Sequence, residues 1–346
     1  MSPAVVSGQP VSTLLTLIIT TSPTPSAPST ELISAIFSSF RNHCGLLLSC
    51  KVIVVFDTYD RIAPHARLKK GQVTPDGART FDHYKQNVRA LVLKEFSQED
   101  GEGSLVEGQG EAEFGYSAVE TNFVPLLTSH TINRQVTFIE PTKRLGFGLA
   151  VRSALRLTTT PFVWVQQHDW PLVSNIALEP LLDIMRLTES DEITPVKYIC
   201  LPSIRLLSYA DSAHVVHFPM LKGLTASLKR NFVTESGVGV PLTPMFFWHD
   251  KPHLAFTEHY LTRVFPTRLS ISRGAFIEDT IGQRSRNQMK MGDWIKWATW
   301  LYYPEDGERL CLRHLQGRTW EGTEKESEKK ATWIAQNAQK ISRVNQ

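Results

Sequence analysis

The stretch Leu14-Leu15-Thr16-Leu17-Ile18-Ile19, running into Thr20-Thr21-Ser22-Pro23, decides the fold. It is short, almost wholly apolar and partly β-branched, which is the signature of a strand buried on both faces of a parallel sheet. It falls far short of the ~20 apolar residues that span a bilayer. No basic segment precedes it, so a strand explains it better than a signal peptide. Beyond the Pro/Ser turn, Ser29 or Thr30 caps a helix whose apolar residues Leu32, Ile33, Ile36, Phe37 and Phe40 share one face. A second apolar strand follows at 52–56 and ends at Asp57. Together these segments form one βαβ unit.

Further along, 84–96 reads as a helix and 136–139 as a strand. Arg144-Leu145-Gly146-Phe147-Gly148 opens a helix that runs to Leu157, and 162–165 is a strand running into Gln166-Gln167-His168-Asp169. This alternation predicts an α/β fold, a mostly parallel sheet flanked by helices. The second half is less regular. It has a strand at 198–201, a loop-rich stretch at 210–239 and a helix at 294–300. The expected organisation is a single domain over 11–320. Residues 11–175 form its regular, Rossmann-like half and 176–320 an irregular half. Segment 97–113 holds six acidic residues and no Lys or Arg, so it reads as a flexible, solvated insertion. Residues 321–346 read as a polar helix or tail.

The chain has 346 residues, with 37 Lys plus Arg against 34 Asp plus Glu, a net charge of +3. That balance lacks the basic stripe of a nucleic-acid binder. Four scattered cysteines make neither a disulfide framework nor a CxxC zinc motif, and they read as reduced thiols in a cytoplasmic setting. No integral membrane segment is expected, and the oligomeric state is left open.

In open α/β sheets ligands bind beyond the carboxyl ends of the strands. Those ends carry Thr21, Ser22 and Pro23, then Asp57, then Arg144 and Gly146, then Gln167, His168 and Asp169. The first βα turn has no glycine and no P-loop exists, which removes dinucleotide and Walker-type readings. A carboxylate such as Asp169, at the end of a central strand, suits a cation bridging a diphosphate. The alternative is that His168-Asp169 caps a turn. Glu278-Asp279 follows apolar Phe276-Ile277 and reads either as a cleft-edge acid pair or as a helix first turn. Trp248 and Asp250, in an aromatic and polar cluster, are candidates for holding an acceptor.

In their order these motifs resemble the GT-A glycosyltransferases, most closely the family 2 type that uses nucleotide-diphosphate sugars. The residues that carry the resemblance are 14–23, 52–57, Gly146 to Arg152, 162–169, Phe276-Ile277-Glu278-Asp279 and Leu312-Arg313-His314, within 14–318. The resemblance implies a UDP- or GDP-sugar donor, an unknown acceptor and inversion at the anomeric carbon. It makes Asp279 the general base with Glu278 supporting it. It places Asp169 and His314 at Mn²⁺ or Mg²⁺, and Arg144 and Arg152 near the diphosphate. The family's Asp-x-Asp becomes Gln167-His168-Asp169 here, so the first carboxylate is a neutral amide. A nucleotide-sugar-binding protein without turnover is the second reading. A nucleotidyltransferase is the third, and it lacks the expected Gly-rich loop.

Overall fold

The computed structural model describes residues 5–6, 8–97, 105–116 and 122–344. Its centre is β1 (Leu15–Thr21), every residue of which is buried. The first βα unit is as expected. Helix α1 (Glu31–His43) buries Leu32, Ile33, Ile36, Phe37 and Phe40 and leads to β2 (Lys51–Phe56), parallel to β1. Helix α2 (Pro75–Phe96) is longer than its sequence signal, because Thr74 caps the Gly77 amide and Pro75 opens the first turn.

An eleven-stranded sheet runs through the chain. After α2 come β3 (Val106–Glu113), β4 (Phe123–His130) and β5 (Val136–Pro141). Then follow α3 (Phe147–Leu157), β6 (Phe162–Gln167) and α4 (Leu178–Leu187). The second half supplies β7 (Tyr198–Cys200), α5 (Pro219–Leu228), β8 (Arg230–Val233), β9 (Gly239–Pro244) and β10 (His253–Phe256). It closes with α6 (Gln283–Lys290), β11 (Thr299–Tyr302) and α7 (Thr323–Val344). The spatial order is β8-β9-β11-β7-β10-β6-β1-β2-β5-β4-β3. The central run β6-β1-β2-β5 is parallel throughout, and β4, β9 and β10 run against the rest. The sheet is therefore mostly parallel in direction, with antiparallel strands on both flanks.

Two expectations change. The acidic stretch 97–113 supplies an edge strand at Val106–Glu113, paired along its length with β4, while 98–104 lie outside the described residues. A ladder is made by backbone groups, so a Gly- and Glu-rich segment can join it while its side chains stay in solvent. The helix expected at 294–300 is instead a single 3₁₀ turn, Asp293–Lys296, and then β11. Ala298 takes φ = 47°, which ends the turn. Trp294 and Trp300 then meet edge to face at 5.1 Å in the core. The second half is also less irregular than its sequence reads, since five of its segments extend the same sheet.

All four cysteines are buried and unpaired. Among the described residues, no helix is long and apolar enough to cross a membrane.

Candidate functional site

From β1 the chain passes to β2 and β5 on one side, then returns to β6 on the other side of β1. Strand order reverses between β1 and β6, and a crevice forms beyond their carboxyl ends at such a switch. A cleft open to solvent lies there. Thr21, Ser22, Pro23, Asp57, Arg144, Gly146, Gln167 and His168 all line it. Those eight are scattered over 147 positions of sequence, and parallel pairing brings them together: Thr20 sits opposite Gln167, and Thr21 opposite Phe56.

Asp57 has a different task from the one its position suggests. Its Oδ1 accepts from the Leu145 amide at 2.6 Å and from Thr58 at 3.1 Å, and its Oδ2 accepts from Gly146 at 3.0 Å. It therefore clamps the loop before α3, and a nucleoside would meet it with both oxygens already engaged. Burial pushes this carboxyl up to about 6, against the pull of those amides and of Arg144. Gly146 takes φ = +79°, and a Cβ there would lie 2.5 Å from the Gly274 backbone. Only glycine fits that crossing. The Gly148 amide donates to Ala275 O at 3.1 Å. The Leu145, Gly146 and Gly148 amides at this helix start are thus already spent on Asp57 and Ala275.

Positive charge reaches the cleft through side chains instead. Arg144 lines it, and so does Arg318, which no sequence motif singled out. The Arg318 guanidinium lies 5.0 Å over the Phe276 ring, and Phe276 lines the same cleft. Tyr59 is a second missed lining residue, an aromatic face beside Asp57. Its signal was its position two residues past the end of a central strand. Arg152 is elsewhere. It is buried on α3, donates to Glu113 O at 2.8 Å and pins the edge strand to the helix. Burial lowers it to about 10.

Asp169 sits beside the cleft mouth. Its Oδ2 accepts from the Gly317 amide at 2.9 Å and lies 3.1 Å from His314 Nε2. These contacts outweigh burial and hold the carboxyl down at about 2. The His314 ring stacks on Trp170 at 4.3 Å, which fixes its orientation. Among the described residues, no cluster of three or more His, Cys, Asp or Glu is placed to hold a metal. The two that meet here do fit part of a cation site. A separation of 3.1 Å is what adjacent ligands of an octahedral ion at about 2.1 Å require, and Mg²⁺-type sites commonly take their remaining ligands from substrate phosphates and water.

A second concavity is lined by His249, Lys251, Glu278 and Asp279. One chain segment contributes to both, since Phe276 lines the cleft and Glu278-Asp279 line the basin. Gln167 in the cleft donates from Nε2 to Asp250 O at 2.8 Å, next to His249 and Lys251 of the basin. Glu278 and Asp279 open a π-helical turn, Glu278–Gly282, that continues into α6. They are therefore both a helix first turn and a pocket wall. Glu278 Oε2 lies 3.4 Å from His249 Nδ1. Burial drives His249 down to about 4 and keeps it neutral, while its contact and Lys251 hold Glu278 below the usual carboxylate range.

The two acceptor candidates are not on that surface. Trp248 is fully buried among Tyr198, His253, Tyr260 and Trp297, because a large aromatic next to β10 is more useful to the core than to solvent. Asp250 is 3% exposed, and burial with Glu278 and Asp279 nearby raises it well above the carboxylate range. It supports the Glu278 backbone, whose amide lies 3.4 Å from its Oδ2.

No protein-family model and no curated protein matches this sequence. Several solved structures are similar to this chain in fold. One is the mannosyltransferase PcManGT from Pyrobaculum calidifontis in complex with GDP-Man and Mn²⁺, at 12% identity and TM-score 0.37, over 85% of this chain and 58% of that one. Another is S. aureus TarS 1-349, at 8% identity and TM-score 0.39, over 86% and 59%. A third is S. aureus TarS, at 8% and 0.38, over 86% of this chain and 36% of the other. The chain thus spans less than two thirds of the length of each.

Proposed function

We propose that this chain is a GT-A-like glycosyltransferase that moves a sugar from a nucleotide-diphosphate donor to a hydroxyl-bearing acceptor. The observation that carries the reading is the segment Phe276 to Asp279, which contributes to two concavities. Phe276 lines the cleft at the β1/β6 switch, and Glu278 and Asp279, two and three residues on, line a basin. A donor in the cleft would direct its sugar toward this segment, where an acceptor hydroxyl at Asp279 would reach the anomeric carbon.

The residues divide the work. Tyr59 and Asp57 line the cleft on the β2 side, where the nucleoside would lie. Arg144 and Arg318 take up charge as it grows on the leaving diphosphate, in a site where burial strengthens each interaction. Asp169 and His314 would hold Mn²⁺ or Mg²⁺, which supplies further neutralisation of the diphosphate. Asp279 is exposed in the basin and takes the proton from the acceptor hydroxyl as its oxygen attacks the anomeric carbon. Glu278, held by His249 and the Asp250 amide, fixes the turn that carries Asp279. Direct displacement of this kind inverts the anomeric centre.

The test is a thermal-shift screen of UDP- and GDP-sugars with and without Mn²⁺, followed by product analysis. A ligand at about 100 times its dissociation constant stabilises by about 2.7 kcal/mol. Asp169→Ala should abolish any gain that Mn²⁺ gives to nucleotide binding. An unaltered Mn²⁺ response in that variant places the cation elsewhere. Binding without transfer to any acceptor favours a nucleotide-sugar-binding protein over an enzyme.

A further inference from the structure

The basin beside Glu278 and Asp279 is more basic than a site for a neutral sugar needs. Three cations line it from three separate elements: Arg205 on the turn after β7, Lys251 before β10 and Arg286 on α6. None has a carboxylate oxygen within 4 Å among the described residues. Arg286 is also held ready. Its guanidinium lies 5.5 Å over the Phe218 ring, and one of its nitrogens donates to His214 O at 3.3 Å, leaving its other donors for a ligand. Among the described residues, Lys251 Nζ hydrogen-bonds only His249 Nδ1, at 3.4 Å.

Unpaired charge collected in a concavity concentrates its field and attracts an anion. The count fits one. Three cations against Glu278 and Asp279 leave a formal excess of one positive charge. Donors carried on three separate elements suit an oxyanion with several acceptor oxygens, such as a phosphate, better than a carboxylate gripped by one fork. The two acids repel that anion, so it must lie on the arginine side while the reacting hydroxyl lies at Asp279.

We propose that the acceptor carries a phosphate group, bound by Arg205, Arg286 and Lys251, at a distance from the hydroxyl that is glycosylated. The acceptor class is thus a polyol or sugar phosphate. This rests on the transferase reading above. The phosphate is a handle and takes no part in bond making.

The test is calorimetric titration of inorganic phosphate and of sn-glycerol 3-phosphate, with glycerol as the uncharged control, in the presence of saturating UDP or GDP. The expected result is binding of both phosphates and not of glycerol. R205A/R286A should weaken it by about tenfold or more, the scale of a lost charged hydrogen bond, and leave nucleotide affinity unchanged. R144A/R318A should do the reverse. R205K/R286K, which keeps charge but loses the planar fork, should fall between. Both arginines reach solvent, so an unchanged melting temperature checks that each variant folds. Phosphate binding unaffected by R205A/R286A, or lost only in R144A/R318A, overturns the proposal, as does no phosphate binding by the wild type. If the wild type binds phosphate at the basin but neither nucleotide, the transferase reading fails and with it the assignment of the phosphate to an acceptor.

Discussion

The cleft and the basin are made by opposite means. In the cleft, the loops beyond β1, β2 and β6 are tied by backbone groups: Asp57 to three amides, Asp169 to Gly317, and Thr20 O to the His168 amide. In the basin, side chains on short turns converge with few fixed contacts, and the longest, Arg205 and Arg286, reach solvent. A rigid cradle suits a ligand whose shape is constant. A loosely held set of charges suits a partner selected by charge. The cleft should therefore respond to substitution through stability and nucleotide affinity together, and the basin through acceptor binding and turnover with nucleotide affinity unchanged.

The largest expected effect separates the two. Asp279→Asn keeps size and most hydrogen bonding but removes proton acceptance, so transfer should fall by about 10²–10⁴-fold with nucleotide affinity unchanged. Steady-state kinetics beside nucleotide titration check this. Glu278→Gln should cost less. Equal loss of nucleotide binding in Asp279→Asn would join basin and cleft into one pocket.

Asp57→Asn strikes the cradle. An amide cannot accept three N–H bonds with the strength of a carboxylate, so unfolding should become easier by about 1–3 kcal/mol, and nucleotide affinity should drop as the Gly146 loop loosens. Chemical denaturation with nucleotide titration reads both. A loss of affinity without loss of stability would restore Asp57 to direct contact with the nucleoside.

Arg152→Ala tests a residue outside both regions. It should destabilise by about 1–2 kcal/mol through the lost Glu113 contact and the exposed β3 hairpin, with transfer and nucleotide affinity intact. Reduced donor binding would return Arg152 to the diphosphate.

The last test is a pH slope set by the core around β10. His253 is fully buried, donates from Nδ1 to Lys251 O at 2.6 Å, and is held down at about 3 by burial. Its unfolded value is about 6.5. Its folded pKa is the lower, so its contribution is complete above pH 6.5 and is lost as pH falls toward 3. Imidazole ¹⁵N shifts should show a neutral ring at pH 5. A protonated ring there would mean that water reaches β10.

The sequence made the cradle more legible than the basin. Apolar runs at 14–19, 52–56 and 162–165 can only be buried strands, and strand ends mark a ligand site in any sheet of this kind. Eight of nine residues nominated for the nucleotide do line one cleft. Arg152 went astray because a basic residue seven positions into a strand–helix motif carries no record of which side of the helix it occupies. Trp248 and Asp250 went astray because burial of an aromatic or an acid depends on what packs against it. Arg318 was missed because it lies on the C-terminal loop, whose folding over Phe276 leaves no periodic trace.

By itself the sequence determined the alternation of elements, the identity of the central strands and the chemistry available at their ends. These follow from local rules: side-chain apolarity, β-branching, caps and turn residues act over a few positions. Tertiary structure alone decided which end residues face one another, which carboxylates are spent on backbone amides, and where unpaired cations collect. Those depend on parallel register between strands more than a hundred residues apart and on loops closing over them. Asp57 and Asp279 are the same residue type near the same crevice. Packing buries one against three amides and leaves the other exposed in the basin.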